Sequence, residues 1–283
     1  MFRAIHGVDF SGAKLAGRNT WIARIEPAGG RSKAPSYRLT ALSRLEALCG
    51  TAERGPALAH LAGLIAGSDA ALWALDFPFG LPVEVMRTGA RWLDQLAFLR
   101  GFGEDAYEAG AECVRRAQAL GGPMHIRRLT DHEAKTPFDC YHYRIIYQTF
   151  YGMRDVLGPL HRTRDTAILP FHYRRLRTAR RVLVEACPAS TLKRLGLPHQ
   201  NYKQAEGGPL TRKRLRSRRA ILAGLAEYVA IEDRHRRVMM LNGGGDALDA
   251  VIAAVGGAQA WDAADHRHVA RHPRYPREGR LFI

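Results

Sequence analysis

A chain of 283 residues, 46% of them apolar and 25% charged, is long enough to bury a full core, and its composition excludes general disorder. Lysine and arginine number 43 against 27 aspartates and glutamates, for a formal charge of +16. The longest apolar stretches, near Leu58–Ala66 and Ala247–Val255, carry His60 and Asp249 and fall short of the roughly 18 residues of a membrane span, so no membrane partner is expected.

In chain order, Phe2–Phe10 alternates and stops at Gly12, which predicts a first strand. Trp21–Ile25 and Tyr37–Leu42 predict a second and a third, separated by turn-rich residues. Ala57–Ala66 has helical spacing. Ala71–Asp76 is a nearly continuous apolar run, the pattern of a strand buried on both faces. It ends at Asp76-Phe77-Pro78-Phe79-Gly80-Leu81-Pro82, where two prolines stop a regular strand. Residues from about 83 to 178 read as a helical, aromatic-rich insertion. Arg180–Glu185 resumes the buried-strand pattern and ends at Cys187-Pro188. A basic helix, Thr211–Tyr228, follows, and Asn242-Gly243-Gly244-Gly245 opens a last helix, Asp246–Val255, whose small residues suit close packing on a sheet. The expectation is a single α/β domain. Its mixed five-stranded sheet is flanked by helices, with core residues 1–82 and 179–283 and the insertion between the fourth and fifth strands.

Only 6 of the 43 basic residues are lysine, an arginine bias that genome composition alone can produce. The charge is nevertheless clustered. Between Arg162 and Arg237 stand 19 basic and 6 acidic residues, densest at Arg212-Lys213-Arg214-Leu215-Arg216-Ser217-Arg218-Arg219. Such a run is either a solvated helix face or a phosphate-facing surface, and its clustering favours an anionic partner. The four cysteines, Cys49, Cys113, Cys140 and Cys187, lie far apart without C-x-x-C spacing. With an N-terminus that lacks the pattern of a secretory signal, they point to a reducing, cytoplasmic setting.

Five acidic residues stand out by position. Asp9, Asp76 and Glu185 end the first, fourth and fifth predicted strands, and Asp246 and Asp249 share one face of the last helix. Functional groups of open α/β sheets gather beyond the carboxyl ends of strands, so these carboxylates converge if their strands are neighbours. Asp at a strand end is also ordinary turn chemistry, and Asp246 after three glycines is also an N-cap candidate. Asp249 has no such simple reading, because its helix is otherwise apolar. Clustered carboxylates repel unless a cation lies between them, and Mg²⁺ or Mn²⁺ is the hard ion that such oxygen donors take, one or two at a time.

Gly7-Val8-Asp9-Phe10-Ser11-Gly12, the Asp76–Pro82 segment, Glu185-Ala186-Cys187-Pro188-Ala189 and Gly245-Asp246-Ala247-Leu248-Asp249-Ala250 resemble, in that order, the motifs of the family catalogued as domain of unknown function 429, described as predicted nucleases. The resemblance covers most of the chain. It implies a ribonuclease H-like core in which Asp9, Asp76, Glu185 and one or both of Asp246 and Asp249 bind Mg²⁺ or Mn²⁺. The arrangement is similar to that of Holliday-junction resolvases, where a final-helix D-x-x-D joins acids from the first and fourth strands. Resolvases work as dimers, which leaves a homodimer open here, although no segment marks an interface. Lys203 carries over as a phosphate or transition-state contact.

The leading expectation is therefore a metal-dependent phosphodiesterase acting on RNA, DNA or a branched junction, with Asp9, Asp76, Glu185, Asp246 and Asp249 as its acids. Arg212, Lys213, Arg214, Arg216 and Arg218 would track the backbone beside Lys203. His142, a base or water-orienting candidate, and Arg144 lie among the aromatics of the insertion. An actin-like or sugar-kinase-like phosphotransferase is a second reading, in which Asp9–Lys14 cradles phosphates through Lys14. A non-catalytic nucleic-acid-binding protein is a third, and it leaves the carboxylates unexplained.

Overall fold

The computed structural model describes residues 2–29, 35–204 and 208–283. The described strands form one mixed sheet in the order β5-β6-β4-β1-β2-β3-β7. They are β1 (Ala4–Asp9), β2 (Trp21–Pro27), β3 (Tyr37–Arg44), β4 (Ala71–Asp76), β5 (Thr166–Ile168), β6 (Arg181–Glu185) and β7 (Val229–Ala230). β1, β2 and β3 run antiparallel in sequence, and the other pairings are parallel. The five strands read from the sequence are all present. The expected five-stranded sheet is corrected to seven by β5 and β7, which have three and two residues. Neither is long enough to show an alternation; β5 is held by pairing with β6 and β7 by pairing with the distant β3. β5 also brings part of the insertion into the sheet.

Side-chain alternation sends the two faces of the sheet into different cores. Val8, Trp73, Leu75 and Leu183 pack on one side with the helix Arg54–Gly67 and with Trp92, Leu96, Phe150 and Met153 of the insertion. Ile5, Leu72, Ala74, Val182 and Val184 pack on the other with the last helix. Burial on both faces is why β4 reads as an unbroken apolar run. The last helix extends over Asp246–Ala263, about two turns beyond Val255. Gly256 and Gly257 obscure that extension in sequence because glycine weakens helices. Here they permit contact: a Cβ on Gly257 would stand 2.5 Å from the Ala74 Cβ, and one on Gly256 2.4 Å from Thr191 Oγ1. Among the described residues, no helix is long and apolar enough to cross a membrane.

Candidate functional site

β1 and β4 are adjacent and parallel, and their registered ends pair Asp9 with Asp76. Asp9 follows Ile5 and Gly7, and Asp76 follows Leu72 and Ala74, so both project to the face covered by the last helix. That helix lies very close. A Cβ on Gly7 would stand 2.0 Å from the Ala250 carbonyl oxygen, an approach only glycine allows. The contact sets Asp249, the residue before Ala250, at the strand ends. Asp9, Asp76 and Asp249 line one cleft of about 530 Å³ together with Tyr202, Lys203 and Arg214.

Asp9 is 8% and Asp249 1% exposed. Asp249 accepts a hydrogen bond from the Tyr202 hydroxyl at 2.9 Å and pairs with the Lys203 ammonium. Among the described residues, no hydrogen bond reaches the carboxylate of Asp9 or Asp76. Burial raises the Asp9 carboxyl well above its usual range; Lys203 opposes this, and Asp249, Asp246 and Asp76 add to it. Burial, with Asp249 next in weight, pushes Asp76 up to about 8. Burial alone would lower the Lys203 ammonium, but Asp249, Tyr202 and Asp9 raise it well above an ordinary lysine. The cleft thus concentrates carboxylates against one ammonium, and among the described residues those of Asp9 and Asp76 are the two that carry no hydrogen bond or ion pair.

Glu185 lines the same cleft but points from the opposite face of the sheet. β6 pairs Glu185 with Leu75, so it projects toward the insertion with Leu75 and Leu183. There Arg128 meets it through two hydrogen bonds, Nη1 to Oε2 at 2.8 Å and Nη2 to Oε1 at 2.5 Å. The Phe79 amide donates a third at 3.0 Å. Asp131 holds the other side of the same guanidinium, 2.8 Å from Nη2. The carboxylate expected as a metal ligand is therefore engaged by a buried arginine in this structure, at the wall of the cleft. In sequence, Arg128-Leu129-Thr130-Asp131 stands out only as polar residues among the aromatics of the insertion. Asp131, three residues after Arg128, does not reveal the distant glutamate.

The last helix presents Asp249 to the cleft, whereas Asp246 is not among the lining residues. Asp246 occupies the first helical position beside the Asn242 side chain, whose Oδ1 accepts the Ala247 amide at 3.0 Å. Both acids lie in the first turn, where the helix dipole favours negative charge.

No protein-family model matches the chain, and no curated protein or solved structure matches it either.

The basic stretch divides. Helix Arg212–Leu225 is capped by the Thr211 side chain, which accepts the Arg214 amide. Arg214 lines the cleft, and Arg212, Lys213 and Arg216 are exposed beyond it. Arg218 is corrected from a phosphate contact to a buried clamp. It is 0% exposed and donates to the carbonyls of Tyr202 (2.6 Å), Met239 (2.8 Å), Asn242 (2.6 Å) and Gly243 (2.7 Å). It ties the Tyr202–Lys203 segment to the loop that opens the last helix. Lys14 is placed away from the carboxylates, in a separate groove with Glu53 and Arg54. His142 and Arg144 are also outside the cleft lining, although His142 stacks on Phe138, which belongs to it. Burial, with Asp76 next in effect, pushes the Cys187 thiol up to about 12, which removes it as a nucleophile.

Among the described residues, no group of three or more carboxylate, imidazole and thiol side chains stands ready to hold a metal ion. The donor chemistry of Asp9 and Asp76 nevertheless fits a hard cation. They are two oxygen ligands without hydrogen bonds, on neighbouring strands, and Mg²⁺ is commonly held by one or two carboxylates with water completing its shell. Asp249 is another carboxylate of the same cleft, and its present partners are Tyr202 and Lys203.

Proposed function

We propose that this chain is a divalent-metal-dependent nuclease with a ribonuclease H-like core, of the kind its motifs resemble, hydrolysing phosphodiester bonds in nucleic acid. The observation that carries the reading is the registered pair Asp9–Asp76 under Asp249. Acids from the first and fourth strands meet one from the final helix, and among the described residues no hydrogen bond reaches the first two. The strand order β6-β4-β1-β2-β3, with β2 antiparallel to its neighbours, supports the same reading.

Asp9 and Asp76 would hold Mg²⁺ or Mn²⁺, with Asp249 as third ligand. When bound, such an ion supplies an activated water and neutralises charge on the leaving oxygen. The remaining roles belong to the protein. Tyr202 orients the Asp249 carboxylate. Lys203, protonated beside Asp249, is placed to meet an incoming phosphate oxygen, and Arg214 lies on the wall of the same cleft. Arg212, Lys213 and Arg216 continue positive charge outward along the helix, where phosphate contacts give affinity without sequence information. Arg218 fixes the loop that carries Tyr202 and Lys203.

The phosphotransferase reading is less well supported. The segment after Asp9 is packed against the insertion, with Gly12 so close that a Cβ would stand 2.1 Å from the Tyr147 carbonyl oxygen. Lys14 opens to another groove. The test is cleavage of labelled RNA, single-stranded DNA, duplex DNA and branched DNA in Mn²⁺ and in EDTA, with Asp9→Asn and Asp249→Asn beside the parent. Cleavage that needs Mn²⁺ and is lost in both variants is expected. Absence of any metal-dependent cleavage, with no Mn²⁺ bound by the parent, overturns the reading.

A further inference from the structure

The insertion carries a strip of aromatic rings beside the carboxylate cleft. Phe138 lines the cleft and stacks on His142, with ring centroids 4.6 Å apart. His142 in turn meets Tyr143 at 4.4 Å and His125 at 5.3 Å. Beneath them the buried Tyr141 stacks on His125 at 5.6 Å. The Tyr141 hydroxyl accepts the Ile126 amide and donates to the Met124 carbonyl, so the base of the strip is tied down. Arg144 lies 5.6 Å from the centroids of both Phe138 and Tyr143, and its Nε donates to the Tyr143 hydroxyl at 3.2 Å. Tyr143 is 61% exposed and Tyr147, one turn on, 42%.

The strip is also anchored to the end of β1. Gln148 Nε2 donates to the Phe10 carbonyl at 2.9 Å, and the Tyr147 carbonyl is the atom packed on Gly12. Rings exposed in this way contribute little to the core, yet they are fixed in place, share one guanidinium and run into the cleft that holds the carboxylates. A flat ring face beside an arginine is the surface that stacks on a nucleobase, whose π-face pairs with aromatic side chains whatever its sequence. In a duplex those faces are hidden, whereas in an unpaired strand they are free.

We propose that Phe138, His142, Tyr143 and Arg144 form a stacking platform for unpaired nucleobases, so that the substrate of the cleft is a nucleic acid with a single-stranded segment. The proposal rests on the nuclease reading for the role of the cleft, but it requires base-dependent binding that needs no metal.

The experiment measures fluorescence anisotropy in EDTA with a short fluorescein-labelled DNA strand, its duplex, and the same strand carrying abasic sites. The parent protein is expected to bind the single strand more tightly than either of the others. Tyr143→Ala weakens single-strand binding about tenfold and abolishes the preference over the abasic strand, while Tyr143→Phe restores both. Tyr107→Ala, at an equally exposed tyrosine of the helix Ala106–Ala119, changes neither. Equal binding of abasic and base-bearing strands, tighter binding of the duplex, or an unaltered Tyr143→Ala protein overturns the platform, even if metal-dependent cleavage is found. Base-dependent binding that Tyr143→Ala removes, without cleavage in Mn²⁺, leaves the platform standing and removes only the nuclease reading.

Discussion

Glu185 pairs in the sheet with Leu75, one residue before Asp76, and therefore projects from the opposite face. Three carboxylates at the ends of three adjacent strands thus line one cleft but meet different partners. Asp9 and Asp76 face the last helix, with no hydrogen bond to either carboxylate among the described residues, while Glu185 faces the insertion and is paired with Arg128. A single step in register decides which of them meets the arginine.

The first prediction uses that difference. Glu185→Gln leaves the buried Arg128 guanidinium with Asp131 as its remaining carboxylate among the described residues, and removing one partner of a buried ion pair is strongly destabilising. A loss of about 2–4 kcal/mol in urea unfolding is expected, with Mn²⁺ affinity changed less than about threefold. Asp9→Asn should behave in the reverse way, losing Mn²⁺ binding while keeping stability. Equal loss of Mn²⁺ binding in the two variants would return Glu185 to the ligand set.

Asp76 gives a pH signature. Its carboxyl is raised to about 8, whereas an unfolded aspartate titrates near 4. Between those values the native state holds a proton that the unfolded state has released, so stability present below about pH 4 is lost as pH rises toward 8. In EDTA the parent should therefore unfold more easily at pH 8 than at pH 5 through this group. Asp76→Asn has no proton to lose, and it should gain ~2 kcal/mol or more over the parent at pH 8 and much less at pH 5. A variant equally stabilised, or destabilised, at both values would show that burial does not govern Asp76.

The sequence is most legible where one residue type has one explanation. An apolar run as short as Ala71–Leu75 has to be a strand covered on both sides, and an aspartate in a helix as apolar as that of Asp249 has to meet something polar. The structure supplies Tyr202 and Lys203. Legibility fails where the deciding contact is distant. β5 and β7 exist only through their partner strands. In β6, with every residue buried, alternation cannot say which face Glu185 takes. Arg218 looks like its exposed neighbours, and only the carbonyls of residues 202 and 239–243 distinguish it.

Gly7 tests what places Asp249. Any side chain there meets the Ala250 carbonyl and the Ala254 amide, both backbone atoms that cannot rotate aside. Gly7→Ala has to push the last helix off β1, at a cost of about 1–3 kcal/mol for the overpacked contact. The same displacement moves Asp249 away from Asp9 and Asp76. Weaker Mn²⁺ binding in a protein that is still folded by circular dichroism is the expected result. Unchanged affinity together with unchanged stability would mean that the helix is not held by this contact.

Arg216 and Arg218 lie two residues apart in the basic helix and should fail in opposite ways when replaced by alanine. Arg216 is exposed beyond the cleft. If it contacts a phosphate of the bound strand, Arg216→Ala reduces the slope of log affinity against log salt by ~0.7 and leaves stability within ~0.5 kcal/mol of the parent. Arg218→Ala instead strips the donor from five buried or half-buried carbonyls, each of which then lacks its charge-assisted hydrogen bond. Its cost should exceed ~3 kcal/mol, and whatever remains folded should keep the parent's salt slope, because the guanidinium never faces solvent. A stable Arg218→Ala protein with a reduced salt slope would show that Arg218 leaves its carbonyl cage to meet the nucleic acid.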